Sequence, residues 1–91
     1  MKVEHYEHRG TPGVQPADPS PGNYYVSAKD GPRVALLAGP FPVHQRALDM
    51  VDQARRLANE VNPWAAFWAF GTLKMADGYT RPGAFNARLG L

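Results

Sequence analysis

Residues 64–73, Trp-Ala-Ala-Phe-Trp-Ala-Phe-Gly-Thr-Leu, constrain this chain more than any other stretch. Read with a period of two, they set Trp64, Ala66, Trp68 and Phe70 on one side and Ala65, Phe67, Ala69 and Leu73 on the other. A strand apolar on both faces is one buried on both sides, typically in the interior of a sheet. The competing reading is a continued helix, because alanine is a strong helix former. Asn62-Pro63 before the segment and Gly71-Thr72 after it favour the strand, since the residue before a proline is pushed out of α geometry.

The elements that surround this strand are legible by the same periodicities. Residues 24–29 alternate, with Tyr24, Val26 and Ala28 against Tyr25, Ser27 and Lys29. Asp30-Gly31-Pro32 is turn chemistry, and residues 33–38 read as the second arm of a hairpin. Gly39-Pro40-Phe41-Pro42 is expected to stop the ladder, because proline has no N–H to donate to it. Residues 43–61 carry Val43, Ala47, Met50, Val51, Ala54, Leu57, Ala58 and Val61 on one helical stripe. Arg46, Asp49, Asp52, Gln53, Arg56 and Glu60 fall on the opposite face. Asp52 precedes Arg56 by one helical turn, a supportive ion-pair orientation. Neither Pro42 nor Val43 offers a capping oxygen to the helix start. The expected fold class is α+β: a small three-stranded antiparallel sheet in the order β-β-α-β, with one amphipathic helix on one face. Residues 23–75 form the domain. Residues 1–22 are read as a flexible Pro/Gly-rich tail and 76–91 as a C-terminal extension.

A helix covers one face of such a sheet, so the other needs a cover of its own. The chain has 91 residues and no cysteine. A core this small is marginal alone, and disulfides and thiolate metal sites are excluded. A second copy, the C-terminal Phe85, Leu89 and Leu91 folded back, or a foreign protein could each supply the cover. The homodimer is favoured because two-fold assembly is the commonest solution. Trp64, Trp68 and Phe70 are then the dimer interface or covered sheet face. No apolar run is long enough to cross a bilayer, and residues 1–9 lack an apolar signal core. A soluble cytoplasmic protein is expected.

No constellation carries chemistry. His5 and His8 with Glu4 and Glu7 have ligand-like types, but a metal site needs ligands held in fixed geometry. His44, at the helix start, is tied by no motif to Ser20, Ser27 or a carboxylate, and reads as a surface histidine. Asp49, Asp52 and Glu60 are carboxylates on an exposed face with nothing to shift their pKa values. Neither glycine-bearing stretch, Gly10-Thr11-Pro12-Gly13 or Lys29-Asp30-Gly31, matches a phosphate loop. No catalytic residue, metal or cofactor is expected, and the chain is read as a non-enzyme. Tyr24, Tyr25, Trp64, Trp68 and Phe70 could form a base-stacking platform, with Lys29, Arg33, Arg55 and Arg56 on phosphates. The net charge of +2 is too weak to argue for nucleic acid, and the basic residues are scattered.

Tyr24-Tyr25-Val26-Ser27, Leu37-Ala38-Gly39-Pro40-Phe41, Ala47-Leu48-Asp49-Met50-Val51 and the run from Asn62 to Thr72 together resemble small uncharacterised phage and prophage proteins. The similarity runs from about residue 24 to the 85–91 tail. That group brings no functional residues to transfer. The resemblance implies an accessory protein of a mobile element, in the host cytoplasm, that binds and disables host machinery without catalysis. Such inhibitors include the anti-CRISPR type. Two fragments resemble other families: Gly39-Pro40-Phe41 with the following helix looks like half of a SPOR repeat, and a three-stranded sheet with such a helix looks like an AP2-type DNA-binding domain. The first lacks its full repeat, and the second lacks the arginines on its sheet. The expectation is therefore a host-protein binder with Arg46, Asp49, Gln53 and Arg56 as its contact surface. A small DNA- or RNA-binding protein is the alternative.

Overall fold

The computed structural model describes residues 4–7 and 17–91. Strand alternation, turn chemistry and one helical stripe produce the elements in the expected order. Strand β1 spans Glu4–Glu7, β2 Asn23–Asp30, β3 Arg33–Phe41, helix α1 His44–Val61 and β4 Ala69–Met75, with a 3-10 helix at Pro63–Phe67. β2, β3, β4 and α1 make the antiparallel β-β-α-β sheet with its helix. β1 adds a fourth strand beside β4, giving the order β1-β4-β2-β3. Residues 4–7, read as tail, thus join the sheet. Residues 1–3 and 8–16 of that tail lie outside the described residues.

The β2–β3 hairpin turns at Gly31, whose φ of 59° suits glycine. Its ladder carries two irregularities, between Tyr24 and Val26 and between Val26 and Ser27. These let β3 run on through Phe41 instead of stopping at Gly39, because a bulge leaves Pro40 no ladder bond to break. Gly39 is obligatory there. Its φ is 131°, and a Cβ would stand 2.7 Å from the Tyr24 carbonyl oxygen and 2.8 Å from the Tyr25 ring.

Helix α1 buries Ala47, Val51, Ala54 and Ala58 against Tyr24, Val26, Ala28, Ala38, Phe41 and Phe70. The small residues let the helix axis approach the sheet closely, and the larger side chains come from the strands. Val43 and Val61, placed on the buried stripe by periodicity, stand exposed at the two helix ends.

The opposite face of the sheet is covered in part by the chain itself, with Val34, paired with Lys29 at the hairpin end, left exposed. Tyr25, Ser27 and Leu73 point away from α1 and are all buried. The Tyr25 ring meets the edge of Tyr79 at 5.8 Å, and its hydroxyl donates to the Arg81 carbonyl at 2.6 Å. Three Asn23 side-chain bonds, to the carbonyls of Ala76, Asp77 and Tyr79, hold this loop in place. Beyond it the chain runs along the outer edge of β3. Gly83 N–H donates to Gly39, Ala84 to Leu36 and Phe85 to Leu37, and the Asn86 amide bonds both backbone groups of Gly39. Phe85 and Leu89 pack against the core, while Leu91 is exposed. The C-terminal extension is thus a lid and an edge cover.

This corrects the reading of residues 64–73. Only 69–75 are extended, and 63–67 are helical. Phe70 faces α1 and is buried in the main core, and Trp68 packs partly against it. Trp64 is on no sheet face at all. Phe70 is covered by α1 of its own chain and so does not oblige a second subunit.

Candidate binding site

Asn62 ends one helix and starts the next. Its N–H donates to the Ala58 carbonyl at 2.9 Å, closing α1, and its side-chain oxygen accepts from Trp64 N–H at 2.9 Å. Pro63 then occupies the first helical position, where a missing N–H costs nothing. In a 3-10 helix, residues three apart stack on one side. Trp64 and Phe67 therefore project together, with ring centroids 6.2 Å apart and a 39° tilt. Ala65 points inward and is fully buried, which pins the turn to the body of the domain. Trp64 is 69% exposed and Phe67 79%. Trp68, leaning on Phe70 at 6.3 Å, continues the aromatic row toward the core. Asp30, at the end of β2, completes the wall. Asp30, Trp64, Phe67 and Trp68 line an open cleft of about 320 Å³. Among the described residues Asp30 makes no side-chain hydrogen bond and no ion pair. The sequence pattern places Phe67 on a strand face and Asp30 in a turn, and marks neither as a site residue. Asn-Pro followed by Trp-Ala-Ala-Phe was the available signal, since an N-cap asparagine and an N1 proline also open a helix.

A second polar cluster lies inside the fold. His44 is 1% exposed, not on the surface as its position at a helix start suggested. The Asp18 N–H donates to its Nδ1 at 2.8 Å, so Nε2 carries the proton and donates to Thr72 Oγ1 at 2.7 Å. The ring stacks on Tyr24 at 4.8 Å, Lys74 Nζ lies 5.4 Å over the other ring of that pair, and the Tyr24 hydroxyl donates to Ser20. Burial pushes the His44 pKa below its ordinary value, with Lys74 adding to the shift and Asp18 opposing it. Burial likewise raises the Tyr24 and Tyr25 phenols. Thr72 is fully buried, so no substrate reaches its hydroxyl. The cluster ties residues 18–20 to α1 and β4.

Arg46, Asp49, Gln53 and Arg56 are all exposed on the outer face of α1. Arg46 lies 5.7 Å over the Phe41 ring, and Asp49 accepts from Gln45. Asp52 pairs with Arg55 at 3.3 Å instead of with Arg56. Lys29 and Arg33 are exposed on the hairpin, and Arg55 and Arg56 on the helix. Tyr24 and Tyr25 are buried, so neither can take a base. Residues 4, 5 and 7 belong to β1, and His8 lies outside the described residues. Among the described residues, no group of three or more His, Asp or Glu could hold a metal ion, and no helix is long and apolar enough to cross a membrane. Comparison with protein-family models, curated proteins and solved structures finds no match.

Proposed function

We propose that this chain is a small non-catalytic binding domain that engages another protein through the corner built by Trp64, Phe67 and Trp68. The observation that carries the reading is the exposure of two large rings on a capped 3-10 turn. Lone apolar residues at a surface are ordinary, but adjacent exposed aromatics on a pinned element have the composition of an interface hot spot. The Asn62 cap and buried Ala65 fix the backbone of the turn before binding, so little backbone ordering entropy is lost when a partner arrives. The resemblance to phage and prophage accessory proteins supplies the context: a host protein as partner, in the host cytoplasm, with occlusion as the mode of action. The outer face of α1, with Arg46, Asp49, Gln53 and Arg56, is the rival surface on the same molecule.

The test is a paired capture experiment from host lysate, with the fold of each variant checked by circular dichroism. Trp64→Ser with Phe67→Ser is expected to lose the captured protein, and Arg46→Glu with Arg56→Glu to keep it. The reverse pattern moves the contact to the helix and overturns the assignment. Nucleic acid is the second reading, favoured by exposed Lys29 and Arg33 on the hairpin that carries Asp30. Phosphate contacts make affinity fall steeply with salt, so a gel shift at two salt concentrations separates it from the first. The Asp30 carboxylate in the cleft opposes a phosphate backbone there.

A further inference from the structure

The chemistry of the cleft points to one kind of contact. Among the described residues its walls are three aromatic rings and one carboxylate, with no cationic side chain. Aromatic faces carry negative quadrupole density and attract cations. A carboxylate at the rim adds a full charge of the same sign, and among the described residues Asp30 has no partner that would cancel it. Lys29, its neighbour, alternates onto the opposite face of the sheet, beside Tyr25 and Ser27. Arg33 is its cross-strand partner, but no ion pair joins the two.

We infer that the cleft receives an arginine side chain of the partner protein, its guanidinium stacked on the Trp64 and Trp68 rings and bonded to the Asp30 carboxylate. The inference rests on the aromatic corner being the docking surface. A polypeptide side chain suits the site better than a free small molecule. Small ligands are taken up in cavities that enclose most of their surface, whereas Trp64 and Phe67 stand 69% and 79% exposed. Arginine suits it better than lysine. A guanidinium is planar, stacks on rings while keeping its edge N–H groups for a carboxylate, and is less strongly hydrated than an ammonium.

The experiment is a nuclear magnetic resonance titration of the full chain, following the indole N–H signals of Trp64 and Trp68. The probes are an acetylated and amidated Gly-Arg-Gly peptide and its citrulline, lysine and trimethyl-lysine counterparts. Citrulline keeps the shape of arginine and removes its charge. The arginine peptide is expected to bind about five- to ten-fold tighter than the citrulline peptide. Asp30→Asn should remove most of that difference, and Trp64→Ser should abolish the response. Equal binding of arginine and citrulline overturns the inference, as does an Asp30→Asn variant that retains the full preference. Stronger binding of trimethyl-lysine or lysine than of arginine overturns the guanidinium assignment. So does the absence of any indole shift at tens of millimolar peptide, a range set by the weakness of a single exposed contact. These outcomes are separable from failure of the docking surface itself. If Trp64→Ser with Phe67→Ser loses the captured partner while citrulline binds as well as arginine, only the charge recognition falls.

Discussion

At the scale of single residues, His44 and Ser27 are opposite cases of a buried polar group. His44 satisfies both ring nitrogens, which is why it can sit at the base of α1. Its Nδ1 accepts from Asp18 only while the ring is neutral. Its folded-state pKa lies below the ordinary value of 6.5, so the unfolded chain binds the proton more readily. The stability it contributes is full above pH 6.5 and is lost as pH falls from there through the folded pKa. His44→Gln should therefore flatten the pH dependence of the urea midpoint below pH 6.5, at a cost of about 1–3 kcal/mol at neutral pH. A wild-type midpoint that rises on acidification over that range would refute it. Ser27 Oγ, by contrast, is buried with no hydrogen-bond partner among the described residues. An orphaned hydroxyl costs free energy, so Ser27→Ala should be neutral or stabilising by up to about 1 kcal/mol, read as a rise in melting temperature of several degrees. A drop of that size would mean the hydroxyl is satisfied.

At the scale of elements, the hairpin and α1 follow from period and turn chemistry alone. Tyr24, Val26 and Ala28 face the helix, Ala47, Val51, Ala54 and Ala58 meet them, and Asp30-Gly31 turns the chain. The segment after α1 was harder because its signals are ambiguous. Asn-Pro stops one helix and equally well caps another, and alternating aromatics with alanines fit both a strand and a 3-10 turn. Only the tertiary structure decides, by burying Ala65 and Phe70 and leaving Trp64 and Phe67 out. The cleft was illegible for a different reason: Asp30 reaches it from a hairpin distant in sequence, and no local pattern encodes that meeting. A histidine at a helix start carries no mark of what will pack over it, so the burial of His44 is not legible in the sequence. The Asn62 cap belongs to this scale too. Asn62→Ala removes the acceptor for Trp64 N–H and should cost about 1 kcal/mol. It should also weaken partner capture several-fold, because the backbone that carries the rings loses its cap while the rings themselves are unaltered. Unchanged affinity would show that preorganisation of the turn does not matter.

At the scale of the whole molecule, residues 76–91 decide whether the domain stands alone. They cover Tyr25 on one face and run along the free edge of β3. A truncation after Ala76 should expose that face and leave the β3 edge unpaired, a template for aggregation. We expect the truncated chain to precipitate or to elute as large species in size exclusion with light scattering, while the full chain elutes as a monomer. A soluble, folded truncation would assign the cover to other parts of the chain. A full-length dimer that survives Trp64→Ser with Phe67→Ser would place a self-interface elsewhere on the surface.

Both tryptophans of the chain sit on the aromatic corner, and there are no others. Excited at the red edge of the absorption band, where tyrosine does not absorb, the protein therefore emits from one place. Trp64 is largely in water while the domain is folded, so its spectrum will change little on denaturation and will understate loss of the core. The same signal will turn blue when anything dry settles on the corner, which makes the unlabelled protein its own reporter of occupancy.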